Sequence, residues 1–257
     1  MFGKLKLQKA NVIGVKRESD GPDLEMLEEK IRQFRPKLFF VQPMAHNPTG
    51  TSMSLQKMHR LLTIAERHDL VLIEDDPFAD ILPKATPHLA SLDALNRVIY
   101  VGTFSKTLSA SLRCGYIAAN PALITSLTDI KMLTVVNSSS TTERIVHEMI
   151  VKGRYRRHLK RLRDRVANAS VDAVSALRDI GLDNIESPAG GYYLWCPLPH
   201  GVDVMALSRR AAGEGIFLAP SQLFELADQN GESALRINIA HANNHKLLRF
   251  LQAAVLK

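Results

Sequence analysis

The sequence predicts an α/β fold in which helices cover a mainly parallel sheet, followed by a smaller α+β lobe. Two observations support this prediction. Continuous apolar segments at residues 37–41, 70–73 and 98–101 predict strands that are buried on both faces. Segments with apolar residues at three- and four-residue spacing separate these strands and predict helices. Alternation of buried strands with amphipathic helices is typical of a parallel sheet with helices on its faces.

Local signals define the elements in the first part of the chain. A short strand is expected at residues 11–15, and an amphipathic helix is expected over residues 22–34. After the first long apolar strand, the sequence HNPTG at residues 46–50 predicts a turn, because Asn-Pro and glycine interrupt regular structure. A second helix is expected to start at residues 53–54.

The middle of the chain is predicted to be helical, from Pro121 to 135, over 141–151, and through one long helix up to about 180. The long helix has an apolar stripe formed by Leu159, Leu162, Val166, Ala169, Ala173, Leu177 and Ile180. Its first turns are very basic. We interpret the basic run as a solvated face, and contact with RNA or DNA is the alternative. Tyr155 is the only aromatic residue within that run.

Short strands return after Gly181, with expected strands at residues 216–219 and 234–240 and a closing helix at 244–256. The predicted domain organisation therefore has three parts. Residues 1–152 form a large sheet domain, residues 153–180 a long connecting helix, and residues 181–257 a small C-terminal domain.

Composition limits the broad class of protein. A chain of 257 residues with 46% hydrophobic content can bury a sizeable core. It has no apolar run near the roughly 20 residues of a membrane helix, and its N-terminus lacks the apolar core of a signal peptide, so we expect a cytoplasmic protein with no membrane partner. The net charge of +7 fits an anionic ligand or nucleic acid without deciding between them. Cys114 and Cys196 predict neither a disulfide nor a metal site.

Three loops are predicted to meet at one edge of the sheet. Glu74, Asp75 and Asp76 follow an apolar strand, and Pro77 ends its hydrogen-bond ladder. Ligands bind beyond the carboxyl ends of strands in such sheets. The loops at residues 47–50, 75–78 and 103–113 all follow strands, so together they predict a binding site.

The residue types in these loops suit an anionic aromatic aldehyde such as pyridoxal phosphate. A lysine held away from bulk water forms a Schiff base with an aldehyde, and Lys106 is available for this, although a lone loop lysine is also consistent with an ordinary solvated charge. Asp75 suits the pyridine nitrogen, and Asn47 suits the ring oxygen. The phosphate needs hydroxyl groups and an arginine, which are available from Thr103, Ser105 and Arg113.

Four motifs, HNPTG, EDDPFAD, GTFSKTLSASLRCG and LRIN, resemble those of fold-type I pyridoxal-phosphate aminotransferases in order and spacing, from about residue 11 onward. The resemblance implies that the protein transfers an amino group between an amino acid and a 2-oxo acid as a homodimer. Lys106 would be the Schiff-base lysine and proton shuttle, Asp75 the pyridinium partner, and Asn47 the donor to the ring oxygen. The phosphate ligands would be Thr103, Ser105 and Arg113. Arg236 would hold the substrate α-carboxylate, and an ordinary strand-end arginine is the alternative.

Within that family the sequence is similar to the aminotransferase-like domain of MocR-type regulators of the GntR family. The similarity rests on VIYVGTFSKTLSASLR, KMLTVVNSSS, RYRRHLKRLRDRV and GGYYLW. It implies a second candidate function, a non-catalytic domain that senses cofactor or amino acid for transcription regulation. Contact with DNA would then require a helix-turn-helix module upstream of Met1.

The sequence departs from the family pattern in two ways. The pattern begins partway through, without the family's opening segment, so we expect an exposed sheet and an incomplete cofactor site unless another chain completes them. Phe78 stands where the family has a tyrosine that donates to the cofactor's ring oxygen, and its lost phenol is expected to alter the pKa of the Schiff base. A fragment that neither binds cofactor nor folds alone is a third interpretation.

Overall fold

The structure, a computed structural model, describes residues 2–82, 86–185, 188, 190–226 and 232–255. Its first half contains α1 (Phe2–Leu7), β1 (Arg17–Glu18), β2 (Gly21–Pro22), α2 (Leu24–Phe34), β3 (Leu38–Val41), α3 (Leu55–Arg67), β4 (Val71–Asp76), α4 (Leu89–Leu92), β5 (Val98–Thr103) and β6 (Gly115–Ala118). The second half contains α5 (Pro121–Thr134), α6 (Ser140–Val151), α7 (Arg154–Arg178), β7 (Tyr193–Pro197), α8 (Val204–Gly213), β8 (Ala219–Pro220), β9 (Ala234–Asn238) and α9 (His245–Val255).

The larger sheet has the strand order β3-β4-β5-β6. The first three strands are parallel, and β6 runs antiparallel to β5. The prediction of a mainly parallel sheet with helices is therefore confirmed. The sequence reasoning missed β6 because its four residues, GYIA, are too few for a periodic signal.

The expected strand at residues 11–15 is wrong, since these residues are irregular in the structure. A strand is stabilised by a ladder partner, and the nearest pairing is made instead by β1 and β2, where Arg17 lies opposite Pro22. The two helices that follow agree with the prediction. Asp23 caps α2 by accepting from the backbone N–H groups of Glu25 and Met26, and Ser54 caps α3 by accepting from that of Lys57.

Helix α7 buries the predicted apolar stripe. Ala173 and Leu177 are completely buried, and Leu159 and Val166 are nearly so. Buried residues of α2, α3, the larger sheet, α7 and the C-terminal strands belong to one continuous hydrophobic cluster. The basic first turns of the helix face outward, with Arg163 as a partly buried exception.

The smaller sheet has the order β7-β9-β8, and all its pairs are antiparallel. Its expected strand at 216–219 is shifted. The Ile216 N–H donates to the Ala211 carbonyl at 2.8 Å, which extends the end of α8, so only Ala219 and Pro220 pair with β9. Both cysteines are free, as expected. Among the helices that the structure describes, none is both long and apolar enough to cross a lipid bilayer.

Candidate active site

The carboxyl ends of the three parallel strands lie side by side. Val41 pairs with Glu74, and Asp76 pairs with Gly102, so the loops after β3, β4 and β5 leave the sheet at the same edge. Successive side chains of a strand point to opposite faces. Glu74 and Asp76 are therefore buried together, whereas Asp75 is exposed on the opposite face.

Asp75 is an anion without a cationic neighbour. Among the described residues, no lysine, arginine or histidine nitrogen forms an ion pair with it within 4.0 Å. The surrounding protein removes part of its hydration, and this loss, followed by repulsion from Asp76, raises the pKa of the Asp75 carboxyl. A cationic group bound beside Asp75 would offset both effects.

The loop after β3 presents Asn47 from a tightly braced turn. The Gly50 N–H donates to the His46 carbonyl at 2.6 Å, and the Asn47 N–H donates to Gln42 Oε1 at 2.9 Å. Gly50 has φ +72°, and a Cβ there would lie 2.7 Å from the Tyr193 carbonyl oxygen, so glycine is required. Arg17 Nε also stabilises the loop by donating to the Thr51 hydroxyl at 3.0 Å.

The loop after β5 carries Lys106 on a turn closed by a 2.8 Å bond from the Leu108 N–H to the Phe104 carbonyl. Thr103 accepts from the Ser105 N–H at 3.1 Å and donates to the Cys114 carbonyl at 3.3 Å, which ties the two ends of the loop together. The Lys106 side chain is exposed, whereas the sequence argument asked for a lysine held away from water.

The three predicted phosphate ligands lie at the ends of this same loop. Thr103 is the last residue of β5, and Ser105 follows two residues later. Arg113 closes a short 3-10 turn in the left-handed conformation, with φ 50°, and its side chain is exposed. It directly precedes Cys114, the residue bonded to Thr103.

Arg236 lies on β9, the central strand of the smaller sheet, and reaches across to the larger sheet. Its Nη1 donates to Asn47 Oδ1 at 2.9 Å. The guanidinium lies between two aromatic rings, 4.3 Å from the centroid of Tyr193 and 4.9 Å from that of Phe224. These contacts fix the planar Arg236 guanidinium in place. Its other N–H groups remain available to donate to a second partner.

Two tyrosines that sequence reasoning had not assigned connect these groups. The Tyr192 hydroxyl donates to the Lys106 backbone carbonyl at 2.6 Å. Phe78, which is almost completely buried, makes edge contacts with the rings of Tyr192 and Tyr193 at 5.6 and 5.9 Å. A continuous line of contacts therefore runs from Lys106 through this aromatic group to Arg236. The sequence feature that could have pointed to these two site residues is the pair of tyrosines that directly follows a pair of glycines.

Buried acidic residues form a second group behind Asp75. Glu74 accepts from the N–H groups of Leu89 and Ala90 at 3.2 and 2.8 Å, and Asp76 accepts from the Ala79 N–H at 2.8 Å. His88 Nδ1 lies 3.0 Å from Asp76 Oδ2 and 3.5 Å from Glu74 Oε1. These carboxylates raise the pKa of His88 to about 10.

The same three side chains, Glu74, Asp76 and His88, have ligand atoms within 4.8 Å of one another, the spacing of a metal site. Sequence reasoning expected no metal site. The carboxylates already accept backbone N–H groups, and the imidazolium supplies positive charge, so the group is explained as a buried ion cluster. The two N–H groups that bind Glu74 come from residues 15 and 16 positions away, which no local pattern indicates.

The donor set suits an anionic, nitrogen-containing aromatic aldehyde. Lys106 offers an exposed primary amine, Asp75 a carboxylate with no ion-pair partner among the described residues, and Asn47 an amide whose oxygen is held by Arg236. Thr103, Ser105 and Arg113 offer hydroxyl and cationic donors beside the lysine. Pyridoxal phosphate presents an aldehyde, a ring nitrogen, a ring oxygen and a phosphate, and each has a matching group here.

Comparison with known proteins agrees with this geometry. The sequence profile of the family Aminotransferase class I and II matches residues 4–253. An uncharacterized aminotransferase of Saccharolobus solfataricus is 30% identical over 261 residues, which cover 95% of this chain and 63% of that protein. The HTH-type transcriptional regulator NorG of Staphylococcus aureus is 28% identical over 229 residues, which cover 88% of this chain. This chain spans 51% of the length of NorG.

Solved structures give the same result. LysN, an α-aminoadipate aminotransferase from Thermus thermophilus, superposes with a TM-score of 0.89 and 29% identity. The match covers 98% of this chain and 67% of LysN, whose structure holds N-(5'-phosphopyridoxyl)-L-leucine.

Proposed function

Because the chain belongs to the class I and II aminotransferase family, we propose that it binds pyridoxal 5'-phosphate and transfers an amino group between an amino acid and a 2-oxo acid. The observation that carries this proposal is the Arg236–Asn47 hydrogen bond of 2.9 Å. It supports the proposal because it brings a cation suited to a carboxylate to the Asn47 loop, which leaves the sheet at the same edge as the loops that carry Asp75 and Lys106.

Each residue then has a role. The Lys106 amine would hold the cofactor covalently and would be the group that moves the proton at the substrate α-carbon. Asp75 would keep the ring nitrogen protonated, and Asn47 would donate to the ring oxygen. When bound, the cofactor supplies an electron sink for the electrons left by the α-proton. The residues that would hold its phosphate are Thr103, Ser105 and Arg113, and Arg236 would hold the substrate carboxylate.

Covalent trapping tests the proposal directly. Wild-type protein is titrated with pyridoxal phosphate, reduced with borohydride, digested and mapped by mass spectrometry. We expect a saturable visible absorbance band and a reduced adduct on the peptide that contains Lys106. An adduct spread over exposed lysines, without a saturable band, would refute specific cofactor binding.

Asp75→Asn is expected to lower the amino-transfer rate by about 10²- to 10³-fold, because an amide cannot keep the ring nitrogen protonated. Covalent attachment through Lys106 should persist. Single-turnover absorbance measurements with amino acid separate the two effects. Asp69→Asn is the matched control, since Asp69 is an exposed aspartate paired with Arg97, and it should leave the rate unchanged.

Arg236→Ala is expected to lower kcat/KM for amino acids by about 10²-fold, because two charge-assisted hydrogen bonds to the carboxylate are lost. Arg236→Lys should recover part of this loss, since it keeps the charge without the planar fork. Arg209→Ala, at an exposed position of α8, is the control. An equal loss for a primary amine without a carboxylate would contradict the assigned role.

A second function is favoured by the similarity to NorG and by Phe78. In this alternative the chain is a non-catalytic domain that binds cofactor or amino acid and signals to an attached DNA-binding module. Phe78 is fully packed between Tyr192 and Tyr193 and offers no phenol to the site. Reading the coding sequence upstream of Met1 separates the alternatives, because an in-frame winged helix-turn-helix module would favour a MocR-type regulator.

We also propose that the protein works in the cytoplasm as a homodimer. Apolar side chains on β6 and α5 are exposed, including Ile117 at 47%, Met132 at 58% and Leu133 at 87%, and they offer a surface that a second copy can bury. In this arrangement residues 1–152 form the cofactor-binding domain, 153–180 the connecting helix and 181–257 the small domain. Light scattering at several concentrations tests the dimer.

A further inference from the structure

One phenol oxygen joins the two loops that matter most for the site. Tyr155, in the first turn of α7, has its hydroxyl oxygen 2.6 Å from Asp80 Oδ2 and 2.9 Å from Thr107 Oγ1. Thr107 directly follows Lys106. Asp80 belongs to the short 3-10 turn Ala79–Ile81, which begins after the Asp75–Phe78 segment. The two partners come from loops that are otherwise separate in sequence.

The protons of this contact have one consistent arrangement. The Asp80 carboxylate only accepts, and the phenol has a single proton, so Tyr155 donates to Asp80. The Thr107 hydroxyl then donates to the phenol oxygen. Burial, together with the Asp80 contact, raises the pKa of Tyr155, which keeps the phenol protonated. Thr107 is 2% exposed. If Tyr155 lost its hydroxyl, the buried Thr107 hydroxyl would lose its acceptor, and an unsatisfied buried donor is costly.

The same face of α7 holds both loops a second time. His158 Nε2 lies 2.7 Å from the Thr107 carbonyl oxygen, which only accepts, so the ring nitrogen donates. Arg163 Nε donates to the Asp80 carbonyl at 3.0 Å. Tyr155 and His158, three positions apart, are neighbours on the surface of α7, and Arg163 adds a contact from further along the same helix. Each loop is held by two contacts, one through a side chain and one through the backbone.

We propose that Tyr155 is a positioning residue that fixes the Lys106 loop relative to the turn after Asp75. The inference rests on the proposed function, since it concerns where the amine lies relative to the carboxylate. Misplacement of a reacting group by about 1 Å can cost about 10²-fold in rate. The helix whose basic run we interpret as a solvated face thus also carries, at Tyr155, a side chain that holds the site loops.

The experiment uses three single variants, the double variant of Tyr155→Phe with Thr107→Val, and a control. Tyr155→Phe removes only the hydroxyl and keeps the ring that packs on Phe104 at 5.7 Å. Thr107→Val removes the partner hydroxyl at nearly constant shape, and Thr107→Ser keeps it. Arg161→Gln, exposed on the outer face of α7, is the control and should match wild type.

Hydrogen–deuterium exchange of the cofactor-free chain is the first readout. Tyr155→Phe is expected to raise exchange about 10-fold at residues 78–82 and at 104–108 together, with the rest of α7 unchanged. Thr107→Val should raise exchange at residues 104–108 and leave residues 78–82 close to wild type, because the Tyr155–Asp80 contact remains, and Thr107→Ser should change neither segment. At residues 104–108 the effects of Tyr155→Phe and Thr107→Val should be strongly non-additive in the double variant, because both changes remove the Tyr155–Thr107 contact. Unchanged exchange at both loops, or an equal rise throughout the chain, would overturn the proposal.

The second readout is the affinity for pyridoxal phosphate and the pH midpoint of its visible band. Tyr155→Phe is expected to weaken binding about 10-fold and to shift the midpoint, because the amine is held less firmly near Asp75. If Tyr155→Phe bound pyridoxal phosphate with wild-type affinity and its visible band had the wild-type pH midpoint, the proposal would also be overturned. If the wild-type chain captures no cofactor, the proposed function fails, and the exchange comparison alone decides whether Tyr155 joins the loops.

Discussion

Lys106→Ala is expected to abolish covalent capture of pyridoxal phosphate and to lower amino transfer by about 10⁴-fold or more. The lysine has two successive tasks, to attach the cofactor and to move a proton at the substrate α-carbon, and alanine can perform neither. Absorbance titration, borohydride trapping and single-turnover kinetics measure the two losses separately.

The matched control is Lys9→Ala, which removes an exposed lysine from the N-terminal segment and should capture cofactor as wild type does. Lys106→Ala is not expected to unfold the chain, because its side chain is exposed and the Tyr192 bond is made to the backbone carbonyl. A saturable band that survives in Lys106→Ala would show that another amine is the attachment point. Added methylamine should restore part of the proton-transfer rate if the loss is chemical.

Much of the fold followed from patterns that are local in sequence. Continuous apolar strands, three- and four-residue periodicity and turn residues are each visible within about ten residues, and they predicted the parallel strands and the long helix. The convergence of three loops then followed from the rule for strand ends, and the register of Val41 with Glu74 and Asp76 with Gly102 agrees with it. The motif resemblance added roles for individual residues.

The contacts that assemble the site could not be predicted in this way. Tyr192 reaches the Lys106 carbonyl across 86 residues, and Tyr155 reaches Thr107 across 48. Such contacts depend on tertiary packing. The apolar stripe of α7 indicates that one face is buried but not which segment covers it, and the residues before β7 carry no signal for their partner. The exposure of Lys106 is likewise a tertiary property. A lysine beside a buried threonine looks the same in sequence whether its amine is covered or open.

The ion cluster behind the site carries the second large prediction, because it buries two carboxylates against one imidazole. His88→Gln is expected to lower the free energy of unfolding by about 3 kcal/mol near neutral pH, since Glu74 and Asp76 would remain buried without their cation. Urea unfolding followed by circular dichroism measures this difference. His59→Gln, on the exposed side of α3, is the control and should be close to wild type.

The pH dependence of the free energy of unfolding gives a sharper test of the same cluster. The pKa of His88 is raised from 6.5 to about 10 in the folded chain, so its stabilising charge is fully present below pH 6.5. As pH rises from 6.5 through about 10, the unfolded chain loses this proton first, and the stabilisation declines. The difference in the free energy of unfolding between wild type and His88→Gln should therefore decrease steadily over this pH window. Other titrating groups contribute equally to both proteins and cancel in the difference. A gap that stays constant from pH 6.5 to 10 would mean that His88 acts through packing rather than through its charge.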